Sequence, residues 1–167
     1  MNLEITFIIS QILVILAMIL DYLSFQQKKR KKMLLILGFS AMLIAFHYLL
    51  LNQINAFILI IISTLSFFVS AYTTNPKILS IFFALYLIPI ILNFTQIVDT
   101  LLFIALYIIL LAKFLSNDKF IRILIMNGTS LVIIYNIMIF SPMGIVLELV
   151  FLISNFSGYY KYYIKKI

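Results

Sequence analysis

The sequence predicts an all-α, polytopic membrane protein with seven transmembrane helices. Two parallel three-helix bundles are expected, joined by a connector helix, over residues 1–72, 73–96 and 97–167. Three observations carry the class. Hydrophobic residues make up 65% of the chain and charged ones 10%, with a mean hydropathy of +1.23. A soluble domain carries about a quarter charged residues and could not hide this much Ile, Leu and Phe. Apolar runs recur at about the length a bilayer needs, ~20 residues at 1.5 Å rise each. The cations segregate by loop, and every one of them falls on the same side of the resulting topology. Runs such as residues 57–62 and 101–111 lack the polar/apolar alternation of barrel strands.

Span 1 covers residues 3–25; it has no cationic leader region or small-residue cleavage site, so it reads as a retained span. Five cations follow, Lys28, Lys29, Arg30, Lys31 and Lys32. Span 2 covers 33–51 and ends at the polar turn 52–55. Span 3 covers 56–72, and Thr73, Thr74, Asn75 and Pro76 form a turn, since Asn-Pro favours turn initiation. Span 4, the connector, covers 78–92 and carries Pro89. Span 5 covers 97–115 and is closed by Ser116, Asn117, Asp118 and Lys119. Span 6 covers 121–140, the turn 141–144 follows, and span 7 covers 145–160 before a basic tail.

The loop after span 3 holds Lys77; that after span 5 is assigned Lys113, Lys119 and Arg122; the tail holds Lys161, Lys165 and Lys166. With the first loop these are all twelve Lys and Arg, and the opposite turns hold none. Cytoplasmic loops are enriched in cations, so the N-terminus is expected outside and the C-terminus in the cytoplasm of a bacterial inner membrane. Tyr22, Tyr72, Tyr159, Tyr160, Tyr162 and Tyr163 at the cytoplasmic ends read as an interfacial aromatic belt.

A shift of 89 residues lays spans 1–3 on spans 5–7 without a gap. The turn 52–55 falls on 141–144, Phe25 on Phe114, Ser40 on Thr129, His47 on Asn136 and Ser66 on Asn155. Equivalent spans point the same way, which implies a parallel repeat about an axis along the membrane normal.

Leu23, Ser24, Phe25, Gln26 and Gln27 before the basic run, then Ala45, Phe46, His47, Tyr48, Leu49 and Leu50, resemble the bacterial inner-membrane YgjV family. So do Tyr135 and Asn136 followed by Ser141, Pro142, Met143 and Gly144, then Glu148, Ser154, Asn155 and Gly158. The resemblance runs from about Ser10 to Lys161. Ser66 and Phe67 depart from it where the family pattern has Arg-Asn. More distantly the chain is similar to the triple-helix-bundle superfamily of SWEET sugar transporters, PQ-loop proteins and PnuC-type vitamin transporters. That likeness implies that Ser24 and Gln26 stand for the Pro-Gln signature, with Phe25 in place of Pro, and that Asn155 is a pocket residue. The hinge prolines of SWEET proteins are missing, which counts against sugar transport.

Among the polar groups, His47 and Asn136 sit about two helical turns below the outer surface and under the repeat face each other across the bundle. They are candidate ligand contacts or, alternatively, interhelical hydrogen bonds. Glu148 lies level with Asn136 across the shared turn, and an acidic side chain at that depth is a functional candidate. It is expected to face the interior and to contact Asn136 or Tyr135, binding substrate or coupling a proton, unless it is a structural carboxyl. Glu148, Asn155 and Tyr159 share a helical stripe. Gln11, Asn127 and Thr129 read as helix glue, Asp21 and Asp99 as interfacial, and Ser63 and Ser66 as small residues that let helices approach.

One His, no Cys and no metal, phosphate-loop or nucleophile motif leave no catalytic or metal residues, no cofactor and no expected enzyme. The net charge of +7 is explained by topology and anionic headgroups, so nucleic acid is not a partner. The expected partners are the lipid bilayer, a small polar solute and a second copy of the chain. The leading reading is a small-solute transporter or facilitator with a pocket lined by His47, Tyr135, Asn136, Glu148 and Asn155. The alternative is a non-transport membrane interaction protein, such as an accessory subunit or an immunity-type protein.

Overall fold

The computed structural model describes residues 3–52, 54–93, 98–138, 140 and 142–165. The start of the expected span 5 at residue 97, the turn positions 53 and 141, Lys166 and the side chain of Asp99 lie outside the described part. Seven α-helices follow one another: α1 (Leu3–Phe25), α2 (Arg30–Leu50), α3 (Ile54–Tyr72), α4 (Pro76–Asn93), α5 (Val98–Lys113), α6 (Asp118–Met138) and α7 (Pro142–Tyr159). A π-helical segment (Tyr160–Ile164) extends α7. No strand occurs among the described residues. Three stretches are long and apolar enough to cross a membrane, Ile5–Phe25, Arg30–Leu50 and Asp118–Met138, and shorter apolar stretches lie in α3, α4 and α5.

The helices start earlier than the apolar runs do. Arg30, Lys31 and Lys32 already belong to α2, and Lys119 and Arg122 to α6. Charge marks where the membrane ends; the helix ends where its backbone is capped. Asn75 Oδ1 accepts from the Lys77 amide (2.9 Å) and Asn117 Oδ1 from the Lys119 amide (3.0 Å), so Asn opens both α4 and α6. Pro76 then takes the first helical position of α4, where no amide donor is needed. At the far ends of α2 and α6 the chain turns through left-handed residues, Asn52 (φ 57°) and Phe140 (φ 54°). Asn tolerates that conformation; a bulky Phe there is strained by about 1–2 kcal/mol.

Helix α2 packs between α1 and α3, and α6 between α5 and α7. The two sets meet where α1 lies along α7 and α3 along α5, while α4 touches α3 and α5. Small residues set these contacts. Ser40 donates to the Ala17 carbonyl (3.1 Å) and Ser154 to the Tyr22 carbonyl (3.3 Å). The outer surface is apolar, as at Ile15, Ile81 and Ile153, whereas Ser10, Ser24, Ser66, Thr129 and Asn155 are buried. That arrangement suits a chain whose solvent is lipid. The close-packed core (Phe25, Met33, Leu34, Leu37, Phe67, Ile121, Ile125) gathers at the cation-bearing end of the bundle.

Candidate functional site

The last carbonyls of a helix have no partner within it, and here arginines from other helices supply them. Arg122 of α6 is fully buried and donates to the carbonyls of Phe25 (2.9 Å) and Gln27 (2.6 Å) at the end of α1. The Tyr162 hydroxyl donates to the carbonyl between them, that of Gln26. Asn155 of α7 donates to the Arg122 carbonyl (3.0 Å). Gly158 lets α7 approach, because a Cβ there would lie 2.0 Å from the Phe25 carbonyl oxygen. Arg30 of α2 does the corresponding work on the other side. It donates to Leu115 (2.6 Å), Lys113 (2.7 Å) and Ser70 (2.5 Å), the terminal carbonyls of α5 and α3. The π segment turns Tyr163 onto Asp118. Burial, then the adjacent Asp118, push the Tyr163 hydroxyl up, so it stays a donor.

These contacts correct several sequence expectations. Arg122 and Lys113 are not loop cations but buried groups, and Arg30 is half-buried while Lys28, Lys29, Lys31 and Lys32 stay exposed. The Tyr162 and Tyr163 hydroxyls hold helix ends, and the chain after α7 winds as a π-helix. Asp21 is not interfacial: it is only 7% exposed, turned towards α2 beside Ser40. Asn127 is exposed and bonds its own helix at Ile123 (2.9 Å), so it glues nothing across.

The opposite half of the bundle is open inside. A cavity of about 810 Å³ is lined by all seven helices, within the ~300–1,000 Å³ of small-molecule sites. Its polar wall comprises Gln11 from α1, His47 and Tyr48 from α2, Ser63 from α3, Tyr86 from α4, Tyr135 and Asn136 from α6, and Glu148 from α7. Thus His47, Tyr135, Asn136 and Glu148 come together on one surface. Asn155 does not: it lies fully buried beside Arg122. Ser24 and Gln26 lie at the α1 terminus, Ser24 buried and bonded to the Asp21 carbonyl (2.6 Å).

His47 Nδ1 sits 3.0 Å from the Ser10 carbonyl. A carbonyl only accepts, so Nδ1 carries the proton, which leaves Nε2 to face the cavity groups. Glu148 is half-buried at the cavity, where its charge and Tyr135 act on Tyr48, and Asp21 in turn acts on Glu148. The wall therefore offers a carboxyl, an imidazole, two amides, a serine hydroxyl and three phenols. No group of three metal-ligating side chains occurs among the described residues. Tyr48, Ser63 and Tyr86 were not singled out as pocket residues by the sequence. A polar atom inside an apolar span was the only signal they gave.

The profile of the Imp-YgjV family, described as bacterial inner membrane protein, matches residues 8–166, and the chain belongs to that family. No curated protein and no solved structure matches it.

Proposed function

We propose that this Imp-YgjV inner-membrane protein is a small-solute transporter or facilitator of the triple-helix-bundle type. Its halves are residues 1–72 and 97–167, joined by the connector 73–96, with the N-terminus outside and the C-terminus in the cytoplasm. The cavity carries the reading: all seven helices line it, as alternating access between two bundles requires. The helix contacts support the repeat, because the 89-residue shift turns the pairs α1–α2, α2–α3 and α1–α7 into α5–α6, α6–α7 and α5–α3. So do the arginines: Arg122, from the second half, holds the end of α1, and Arg30, from the first, holds the end of α5. On this reading the two clasps are the closed cytoplasmic gate of an outward-facing state. Gln26 Nε2, Arg122 Nε and Asn155 Oδ1 lack partners, and a partly satisfied network costs less to open. The alternative, a non-transport interaction protein, has no use for a central cavity of this size.

The chain has no cysteine, so each one introduced is unique. Gln11→Cys is expected to react with a membrane-impermeant maleimide on intact cells, and Lys165→Cys only after permeabilisation. The reverse pattern would overturn the orientation. In reconstituted vesicles, solute uptake is expected to fall by about tenfold or more once Gln11→Cys carries a bulky maleimide, since the adduct occupies the route. Uptake that survives complete labelling would sink the central-cavity route.

A further inference from the structure

Lys113 ends α5 at the cation-bearing face of the bundle. A lysine there can reach water at little cost by extending outward. Its side chain instead turns inward and is fully buried. The ammonium donates to Ser63 Oγ (2.8 Å) and Ser66 Oγ (3.0 Å), and lies 3.7 Å from the centre of the Phe67 ring. A ring face attracts a cation, so this contact favours the charged form of the amine. Its polar partners among the described residues are neutral hydroxyls.

This amine sits inside the bundle, between Ser63 at the centre of α3 (Ile54–Tyr72) and Phe67 towards its cation-bearing end. A charge at that depth normally has a counter-charge or a task. Ser66 donates to the Ser63 carbonyl (2.7 Å), which commits its proton. Ser63 and the almost fully buried Tyr86 are hydrogen-bonded neighbours, and both belong to the cavity wall. The hydroxyls thus connect the ammonium to the cavity, and the cluster is rich in donors. Glu148, His47 and Asn136 make up another part of the same wall, with a carboxyl and an amide oxygen as acceptors.

Resting on the solute-transport reading, we propose that Ser63 and Tyr86, backed by the Lys113 ammonium, form an anion subsite that receives the carboxylate or phosphate of the solute. A neutral sugar would leave that charge unanswered. A solute with one anionic end, and a donor or cationic group for the Glu148 side, uses the whole wall.

The test is thermal unfolding of the purified chain in phosphatidylcholine nanodiscs, titrated at constant ionic strength with acetate, glycine, inorganic phosphate, or acetamide as the neutral isostere of acetate. At least one anionic or zwitterionic probe is expected to raise Tm with a saturating dependence, and acetamide is not. Lys113→Met should fold, because a well-packed apolar replacement of a buried ion is tolerated. Its response to the active probe should be at least about tenfold weaker, as should that of Ser63→Ala, which removes only a wall hydroxyl. Equal responses to acetate and acetamide, or an unchanged response in both variants, would overturn the subsite. So would stabilisation by phosphatidylglycerol nanodiscs alone, which would make this a lipid headgroup site. A probe that stabilises through Lys113 in a protein that moves no solute across vesicles would refute transport and keep the subsite. Solute flux with the probe response unaffected by both variants would do the converse.

Discussion

Gly158→Ala is expected to loosen the cation-bearing end of the protein by about 3–5 kcal/mol, read as a large drop in Tm in detergent. The added Cβ would lie 2.0 Å from the Phe25 carbonyl oxygen and 2.4 Å from Arg122 Nη1. Neither can step aside: the first is backbone, and the second is the donor that holds that same oxygen. Helix α7 must therefore move off α1. Overpacking of this kind costs about 1–3 kcal/mol, and losing the hydrogen bond from the charged group to Phe25 adds about 1.5–3 kcal/mol. Gly128→Ala and Gly38→Ala are the comparison. Their Cβ atoms would meet the Ile109 side chain at 2.5 Å and the Phe68 ring at 2.8 Å, and at Gly128 the Ala105 carbonyl oxygen lies no closer than 3.1 Å. Both variants should lose less than Gly158→Ala. A Gly158→Ala protein within about 0.5 kcal/mol of wild type, a surface-like value, would show that the Arg122 clasp does not hold α7 on α1.

The clasp also shows where sequence reasoning stops. The all-helical membrane class was legible because hydropathy over a run of residues is a sum, insensitive to any one side chain. The cap partners of Arg30 and Arg122 are backbone carbonyls, which every sequence has everywhere, so nothing in the residues near Phe25 or Leu115 marks them as acceptors. Lys113 did leave a trace: it stands inside the apolar run 97–115 and was nevertheless counted as a loop cation.

For the site, turn geometry was enough to put Asn136 and Glu148 on one cavity wall, because both were measured from one shared turn. Helical periodicity misled at Asn155. Seven residues return it to the face of Glu148 but carry it about 10 Å along the axis, below the cavity and into the clasp. Asp21 was misplaced for the complementary reason. Depth alone suggested water, whereas the face it occupies is the one covered by α2 at Ser40. The cavity itself was not legible, since an internal volume is set by gaps between helices and leaves no period in any one of them.

On the proposed transport reading, Glu148→Gln is expected to leave folding intact and to abolish the pH dependence of uptake. The carboxyl lines the cavity near Tyr48 and Tyr135, with His47 and Asn136 on the same wall and Asp21 acting on it from α1. Gln retains the shape and hydrogen-bonding capacity and removes only the titratable proton. If Glu148 couples a proton to solute movement, the Gln variant should match wild type in Tm within about 1 kcal/mol. Its vesicle uptake should fall about tenfold or more, and what remains should be flat with pH. Asp21→Asn run beside it assigns the titration, because its charge reaches Glu148. Should Asp21→Asn flatten the profile while Glu148→Gln does not, the coupling group is Asp21. Glu148→Leu separates the structural role: if the carboxyl is bonded within the wall, Leu removes that bond and costs about 1–3 kcal/mol. A Leu variant of lowered Tm beside a Gln variant with full, still pH-dependent uptake would end proton coupling at Glu148 and leave that carboxyl a packing group in the cavity wall.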